Sequence, residues 1–391
     1  MKVLILILTI WAAGLGAAAQ FAKVALILPE LALIYPDAGA GLGFLVTLIS
    51  LLGIIFGLVA GMLVKRIGLY GLMWRSLFFG SALSAVQAVG LAMDWPLWLM
   101  LVTRAFEGLS HLGVVVAAPT LIAIHAPDHW RNAAMTLWST FFGVAFAVLA
   151  WIAVPVAIES GPVPIFLAHA VYMGLCGLVL LLLIPRDTPD RNAAPAFDWA
   201  QIKAQHIATY RSPRVAAPAL GWVFYTFSFV ALVTVLPGLV PPDVRAFVAG
   251  TMPLISIVVS LTIGVALLRL LPAVTVVWVG FALSACLAAL MIPLGVSPLG
   301  CIVLLGAMGL VQGGSFAAIP QLNHTRADQA MASGAIAQTG NLGNVMGTPI
   351  MLAVLAGLGV TALLVLTVVI ALAGAAVHLL LAARRRADPT T

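Results

Sequence analysis

The run LWLMLVTRAFEGLSHLGVVVAAPTLIAIH, residues 97–125, decides the architecture. It is almost unbroken apolar sequence and exceeds the ~20 residues that a helix needs to cross a bilayer. It nevertheless holds Arg104, Glu107 and His111, a costly choice in lipid. Runs of the same kind fill the chain on both sides. Bounded by turn signals, they fall at 3–33, 42–64, 71–93, 97–125, 132–157 and 164–184. After a polar stretch come 215–240, 245–269, 273–294, 297–320, 329–357 and 359–383. Each must be a helix, because lipid offers the backbone no hydrogen bonds and the runs are too long for barrel strands.

Composition agrees. Of 391 residues, 63% are hydrophobic and 8% charged, with a mean hydropathy of +1.18. A soluble domain carries roughly 25% charged residues, so most of this surface must face lipid. The net charge of +6 does not point to nucleic acid. The basic residues sit in short loops, as they do when charge sets orientation. With the N-terminus inside, the cytoplasmic segments hold Lys2, Lys65, Arg66, Arg131, five basic residues from Arg186 to Arg214, Arg269, Arg326 and Arg384 to Arg386. The opposite side holds Arg245 with Asp37, Asp94, Glu159 and Asp243. The expected setting is a bacterial plasma (inner) membrane, with both termini cytoplasmic.

The start Val3 to Ala17, followed by Ala17-Ala18-Ala19-Gln20, has the pattern of a cleavable leader. We read it as the first part of helix 1, because the apolar run continues to Ile34. Cys176, Cys286 and Cys301 are odd in number and lie in or beside apolar runs, which suits buried small hydrophobes rather than disulfides or a zinc site. No cofactor and no metal are expected.

The polar segment 185–214 divides the chain into 1–184, a six-helix bundle, and 215–391, a second. Phe197, Trp199, Ile202, His206 and Tyr210 recur near helical spacing, which fits a short helix on the cytoplasmic surface, a merely solvated linker being the alternative. The two halves repeat. Leu28-Pro29-Glu30-Leu31 returns as Leu236-Pro237-Gly238-Leu239, offset by 208 residues. Gly61 and Arg66 return as Gly264 and Arg269, offset by 203. Gly108-Leu109 before Pro119 returns as Gly309-Leu310 before Pro320, offset by 201. Repeated halves with a site where they meet are a transporter architecture.

Gly61-Met62-Leu63-Val64-Lys65-Arg66-Ile67-Gly68 resembles the G-x-L-A-D-R-x-G signature of the major facilitator superfamily. Gly61, Leu63, Arg66 and Gly68 match. Lys65 replaces the acid, and Leu69 and Tyr70 replace two bases, so the charged cytoplasmic gate of the family is not expected in its usual form. Arg104-Ala105-Phe106-Glu107-Gly108 is similar to the family's R-x-x-Q/E-G motif. The resemblance implies twelve helices in two pseudo-symmetric six-helix bundles, with spans 1, 4, 7 and 10 lining a central path. The family's Gly-Pro-rich antiporter motif is missing from span 5.

Charges inside the spans are the site candidates. Gln20, Lys23 and Glu30 share a helical stripe, and Arg104, Glu107 and His111 share another. By rise per residue, Lys23 and Arg104 lie about 9 and 12 Å from the outer end. The expectation is that Lys23, Arg104 and Glu107 meet, with Glu107 exchanging protons and the two cations holding an anionic group. A structural ion-pair cluster would give the same pattern. His111 alone suits a satisfied interior histidine. In the second half Tyr225, Ser228, Gln312, Gln338, Asn341 and Asn344 are the polar candidates, the last three for lining the path or for bonding helices. Gly313-Gly314 would allow a bend or a close approach.

These features predict a secondary transporter of a small organic solute, proton-coupled and monomeric, whose partners are the solute, protons and lipid. An efflux exporter of small organics also fits. No G-x-x-x-x-G-K-S/T loop supports an ATP-driven pump. A membrane-embedded enzyme would have to use His125, Asp128 and His129, which read more simply as a turn and helix cap. A non-transporting receptor would be expected to add a soluble extension.

Overall fold

A computed structural model describes residues 2–183, 199–241 and 243–387. Every element among them is helical. The first crossing is α1, Lys2–Ala25, continued by the short α2, Leu28–Ile34, and a 3-10 turn over Pro36–Gly43. Crossings two to four are α3 (Phe44–Ile67), α4 (Leu69–Ala92) and α5 (Leu97–His125). The fifth is broken into α6 (Asp128–Ser139) and α7 (Phe141–Ser160), and the sixth is α8 (Val163–Leu183). A helix in the central linker, α9, spans Trp199–Arg211. The seventh crossing is α10 (Ala216–Val235), closed by a 3-10 turn over Leu236–Leu239. The eighth runs from α11 (Arg245–Val259) through a π-helical segment, Ser260–Gly264, into α12 (Val265–Leu268). The ninth and tenth are α13 (Ala273–Leu294) and α14 (Pro298–Leu322), and α15 (Arg326–Ala387) holds the last two.

Local chemistry sets these boundaries. Ala126 precedes Pro127, whose ring excludes the helical conformation from it, and at φ −69° and ψ 127° it ends α5. Ser297 caps α14 by accepting from the Gly300 amide at 3.1 Å, with Pro298 in the first turn. Gly68 sits between α3 and α4 at φ 73°, which a side chain would resist. Gly359, at φ 83°, breaks the Arg326–Ala387 run into two crossings.

The molecule is a multi-pass membrane protein of twelve helices. Among the described residues, nine helical stretches are long and apolar enough to cross a membrane, Arg326–Ala387 counting as one. Helix α3, apolar along most of its length, and α4, whose Ser76, Ser84 and Gln87 are buried, complete the set. Trp98, Trp151, Val171 and Leu182 stand exposed on the helix surfaces, as residues bathed in lipid do.

Two compact units result: Met1–Ala126 with Phe141–Ala196, and Pro127–Thr140 with Phe197–Thr391. The segment 127–140 packs with the second unit although it precedes the linker. There Asn132 donates to the Leu268 carbonyl at 3.0 Å and accepts from Gln321 Nε2 at 3.1 Å. Gln321 Oε1 in turn accepts from the Ala273 amide at 2.8 Å.

The helix pairings repeat. In the first unit α5 packs on α1, α3 and α4, while α4 packs on α8 and α1 on α7 and α8. In the second, α14 packs on α10, α11 and α13, while α13 and α10 pack on α15. The repeated glycines mark the same close approaches. A Cβ on Gly108 would lie 2.9 Å from the Ile49 carbonyl of α3, and one on Gly309 would strike the Ser256 carbonyl of α11. A Cβ on Gly80 would meet Ser110, and one on Gly280 would meet Val311, the two pairs being 200 and 201 residues apart.

Candidate functional site

The first unit encloses a polar cluster, and four helices build it. From α1 comes Lys23, from α4 Ser84 and Gln87, from α5 Thr103, Arg104 and Glu107, and from α8 His169. Lys23, Arg104 and Glu107 are all 0% exposed. Lys23 Nζ donates to Glu107 Oε1 at 2.6 Å, to Gln87 Oε1 at 3.0 Å and to Ser84 Oγ. Arg104 donates from Nη1 to Glu107 Oε2, one helical turn along α5, and from Nε to the Leu45 carbonyl of α3 at 2.7 Å. Gln87 Nε2 adds a third donor to the carboxylate at 2.9 Å.

His169 completes the cluster. Its Nε2 is 2.9 Å from the Gly16 carbonyl, and its Nδ1 is 2.6 Å from Ser84 Oγ and 3.4 Å from Lys23 Nζ. The Phe166 ring lies 4.7 Å from Lys23 Nζ. Burial is tolerated because nearly every polar atom has a partner. Exceptions are Arg104 Nη2 and Gln20 Oε1, buried without one. The cluster therefore holds two cations against one carboxylate, with an unused donor on Arg104.

The sequence candidates sort as follows. Lys23, Arg104 and Glu107 meet. Gln20 lies alongside and donates to Ser110 at 2.9 Å. His111 faces the Ala17 carbonyl at 3.0 Å and stands edge-on to Phe21. Glu30 is not part of the group. Helix α1 ends at Ala25, and a proline in the first turn of α2 removes an amide that a continuous helix would need, so the stripe from Gln20 to Glu30 is broken. Sequence reasoning missed Ser84, Gln87 and His169. Ser84 and Gln87, three residues apart in an apolar run, were the available signal.

In the second unit Tyr225 donates to Gln312 Oε1 at 3.1 Å, and Gln312 Nε2 donates to the Ser139 carbonyl at 2.5 Å. Trp222, Tyr225 and Phe229 stack along α10, with centroids 4.5 and 5.1 Å apart. Gln338 accepts from Tyr210 of α9 at 2.7 Å. Burial pushes the Tyr210 phenol up to about 12, which keeps it a donor. Asn341 donates to its own helix at the Ala337 carbonyl, 2.7 Å away, and Asn344 Oδ1 is buried without a partner. Gly313 and Gly314 serve close approach, to Ser260 and Thr136 and to Val277, within an unbroken α14.

Of the gating-loop candidates, Gly68 is the left-handed hinge between α3 and α4, while the side-chain surroundings of Gly61 and Arg66 lie outside the described residues. Tyr70, at a position where the signature has a base, hydrogen-bonds His125 Nε2 of α5. Asp128 pairs with Arg131 at 2.6 Å in the first turn of α6, whose capping position is Pro127.

The second unit has no counterpart of the charges. By the repeat offsets of 208, 200 and 201 residues, Lys23, Gln87, Arg104 and Glu107 correspond to Ala231, Leu287, Leu305 and Met308. All four belong to or pack against the apolar core of that unit. Ser84 does have a like counterpart, Ser284, 200 residues on.

Comparisons with known proteins agree with this architecture. The family model described as Major Facilitator Superfamily matches residues 6–348. No curated protein sequence matches the chain. Among solved structures, the chain is similar to FucP, a transporter of that superfamily captured in the outward conformation, with TM-score 0.72, 14% identity, and coverage of 98% of this chain and 99% of that one. The human organic anion transporter MFSD10 gives 0.74 and 16%, with coverage of 95% and 98%. The proton:xylose symporter XylE gives 0.74 and 12%, with coverage of 97% and 94%.

Proposed function

Because the chain belongs to the major facilitator superfamily, whose members move solutes, we propose that it carries a small organic solute by alternating access and couples that movement to protons. The transporter reading, rather than an enzyme, follows from family and fold. Coupling and an anionic substrate are our own extension. One observation carries it: a fully buried Lys23–Glu107–Arg104 cluster stands in a bundle whose repeat partner fills the same places with Ala231, Met308 and Leu305. Each charge costs about 2.5–3.5 kcal/mol or more at mid-bilayer. An apolar core demonstrably packs the second copy of this fold, so the charges are not needed to build a bundle. Their formal excess of one positive charge, and the unpartnered Arg104 Nη2, suit an anionic group. The protein is expected to act as a monomer in a plasma membrane with its basic loops on the cytoplasmic side.

The test begins with a thermal-shift screen of the purified protein against anions, amines and amphiphiles at two pH values, since a bound ligand raises apparent stability. Flux of the hit is then measured in liposomes with and without a pH gradient. The gradient should drive accumulation in the native protein and fail to do so in folded Glu107→Gln. Gradient-driven accumulation unaffected by that substitution would remove the cluster from coupling.

A further inference from the structure

The excess of cation over anion decides which member of the buried cluster exchanges a proton. We propose that Lys23 is the proton-exchanging group, that Ser84 and His169 relay its proton, and that Glu107 is a fixed counter-charge. The inference rests on the proton-coupled reading for its purpose, though its test needs no substrate.

Protonating Glu107 would leave Lys23 and Arg104 as two buried cations with no anion. Releasing a proton from Lys23 leaves Arg104 and Glu107 as a neutral pair. At positions this buried the uncompensated charge is the dominant cost, so the second change is the accessible one. The bonding agrees. The three contacts to the Glu107 oxygens come from Lys23, Arg104 and Gln87, all donors, which fit a carboxylate and not an acid hydroxyl. Arg104 is excluded as the exchanger, since a guanidinium keeps its proton in proteins.

The relay follows from one carbonyl. His169 Nε2 lies 2.9 Å from the Gly16 oxygen, which only accepts, so Nε2 carries the hydrogen and Nδ1 offers a lone pair. Ser84 Oγ stands 2.6 Å from that lone pair and itself accepts from Lys23 Nζ. In the transfer the Nζ–H bond breaks as an O–H bond forms at Ser84, and Ser84 passes its own hydrogen to Nδ1. Lys23 becomes an amine, His169 an imidazolium, and Ser84 is unchanged. Loss of the Nδ1 proton to water when the bundle opens completes the exchange.

Among the described residues no carboxylate besides Glu107 pairs with Lys23 or Arg104, and Glu30 of α2, next to α1, makes no ion pair with either. Helix α4 presents Ser84 and Gln87, α5 presents Arg104, Glu107 and, one turn on, His111, and α8 presents His169 and the Phe166 ring. Helix α3 supplies the Leu45 carbonyl, already bonded to Arg104. On α7, packed along α1, the acidic Glu159 is exposed at the far end.

The chain has four lysines, so a full-length protein with Lys2, Lys65 and Lys203 changed to arginine isolates Lys23. With nitrogen-15 in its side chain, Lys23 should pass from ammonium to amine as pH is raised through a range in which free carboxylates stay ionised. Infrared difference spectra over the same range should show no neutral-carboxyl band that Glu107→Gln removes. His169→Gln should keep both end states and lose the fast interconversion. An ammonium signal that persists throughout, or a Glu107-dependent carboxyl band, overturns the assignment to Lys23; unchanged exchange in His169→Gln overturns the relay. Proton-driven flux by a protein whose Lys23 keeps its proton sinks this inference and spares the transport reading. A titrating Lys23 in a protein that moves no solute does the reverse.

Discussion

Glu107 supplies the whole negative charge of its cluster, and this makes it the least replaceable of the three ions. Glu107→Gln leaves Lys23 and Arg104 buried and unneutralised, a loss of the kind that costs about 3–5 kcal/mol. Lys23→Met leaves the Arg104–Glu107 pair intact and electrically balanced. Its cost is the two acceptors left without a donor, Glu107 Oε1 and Gln87 Oε1, but no net charge is left unneutralised. Thermal unfolding of the purified variants should therefore rank native above Lys23→Met above Glu107→Gln. The reverse order would mean that the cluster is not governed by net charge. The limits of the sequence are also sharpest at this scale. Lys23, Arg104 and Glu107 were visible because a charge in an apolar run is conspicuous. Ser84 and Gln87 left only the fainter mark of two polar residues three apart, and His169 left none, because a lone histidine is compatible with many satisfied interiors and acquires meaning from what packs against it. Glu30 misled, since heptad-like spacing assumes a continuous helix and Pro29 interrupts this one.

At the scale of elements, helix contacts are set by small residues where backbones touch. Gly108 and Gly309 hold α5 against α3 and α14 against α11 at matching points of the repeat. An added methyl at Gly108 would sit 2.9 Å from a carbonyl oxygen, and at Gly309 it would sit nearer still. Both partners are backbone and cannot rotate away, so the helices themselves must separate. Overpacking of this kind costs roughly 1–3 kcal/mol. Gly309→Ala should lower the unfolding temperature more than Gly108→Ala, as read by fluorescence or by loss of monodisperse protein on heating in detergent. Equal, negligible effects would show that the helices have slack at these crossings. The crossings themselves were legible from apolar runs and turn signals, because lipid leaves a chain no choice but helix. The break of the fifth crossing at Thr140 and the π-helical segment at Ser260–Gly264 were not, since both depend on neighbours rather than on local propensity.

Across the whole molecule, one design is present twice with different contents. The same helix pairs pack in each unit, and the same glycines mark their approaches. One unit encloses ions where the other encloses Ala231, Leu287, Leu305 and Met308. The second unit is thus a natural control for the first, showing what the fold does when those places are apolar. Copying it gives Lys23→Ala, Gln87→Leu, Arg104→Leu and Glu107→Met in one protein. All three charges and the amide that bonds them leave together, so no ion is stranded. Replacing a buried ion-pair group by apolar residues is often neutral or stabilising by about 1–4 kcal/mol. Against this stands the space left by Lys23→Ala, since removal of a long buried side chain typically costs about 2–5 kcal/mol unless neighbours such as the new Met and Leu side chains fill it. The combined variant should fold, unfold within a few degrees of the native protein, and lie well above Glu107→Gln. If the cluster serves coupling, it should also lose all response of solute flux to a pH gradient. A combined variant that fails to fold, while Lys23→Met and Glu107→Gln do fold, would instead make the ions a structural requirement of the first unit. Full gradient-driven flux in the combined variant would move coupling away from these residues altogether.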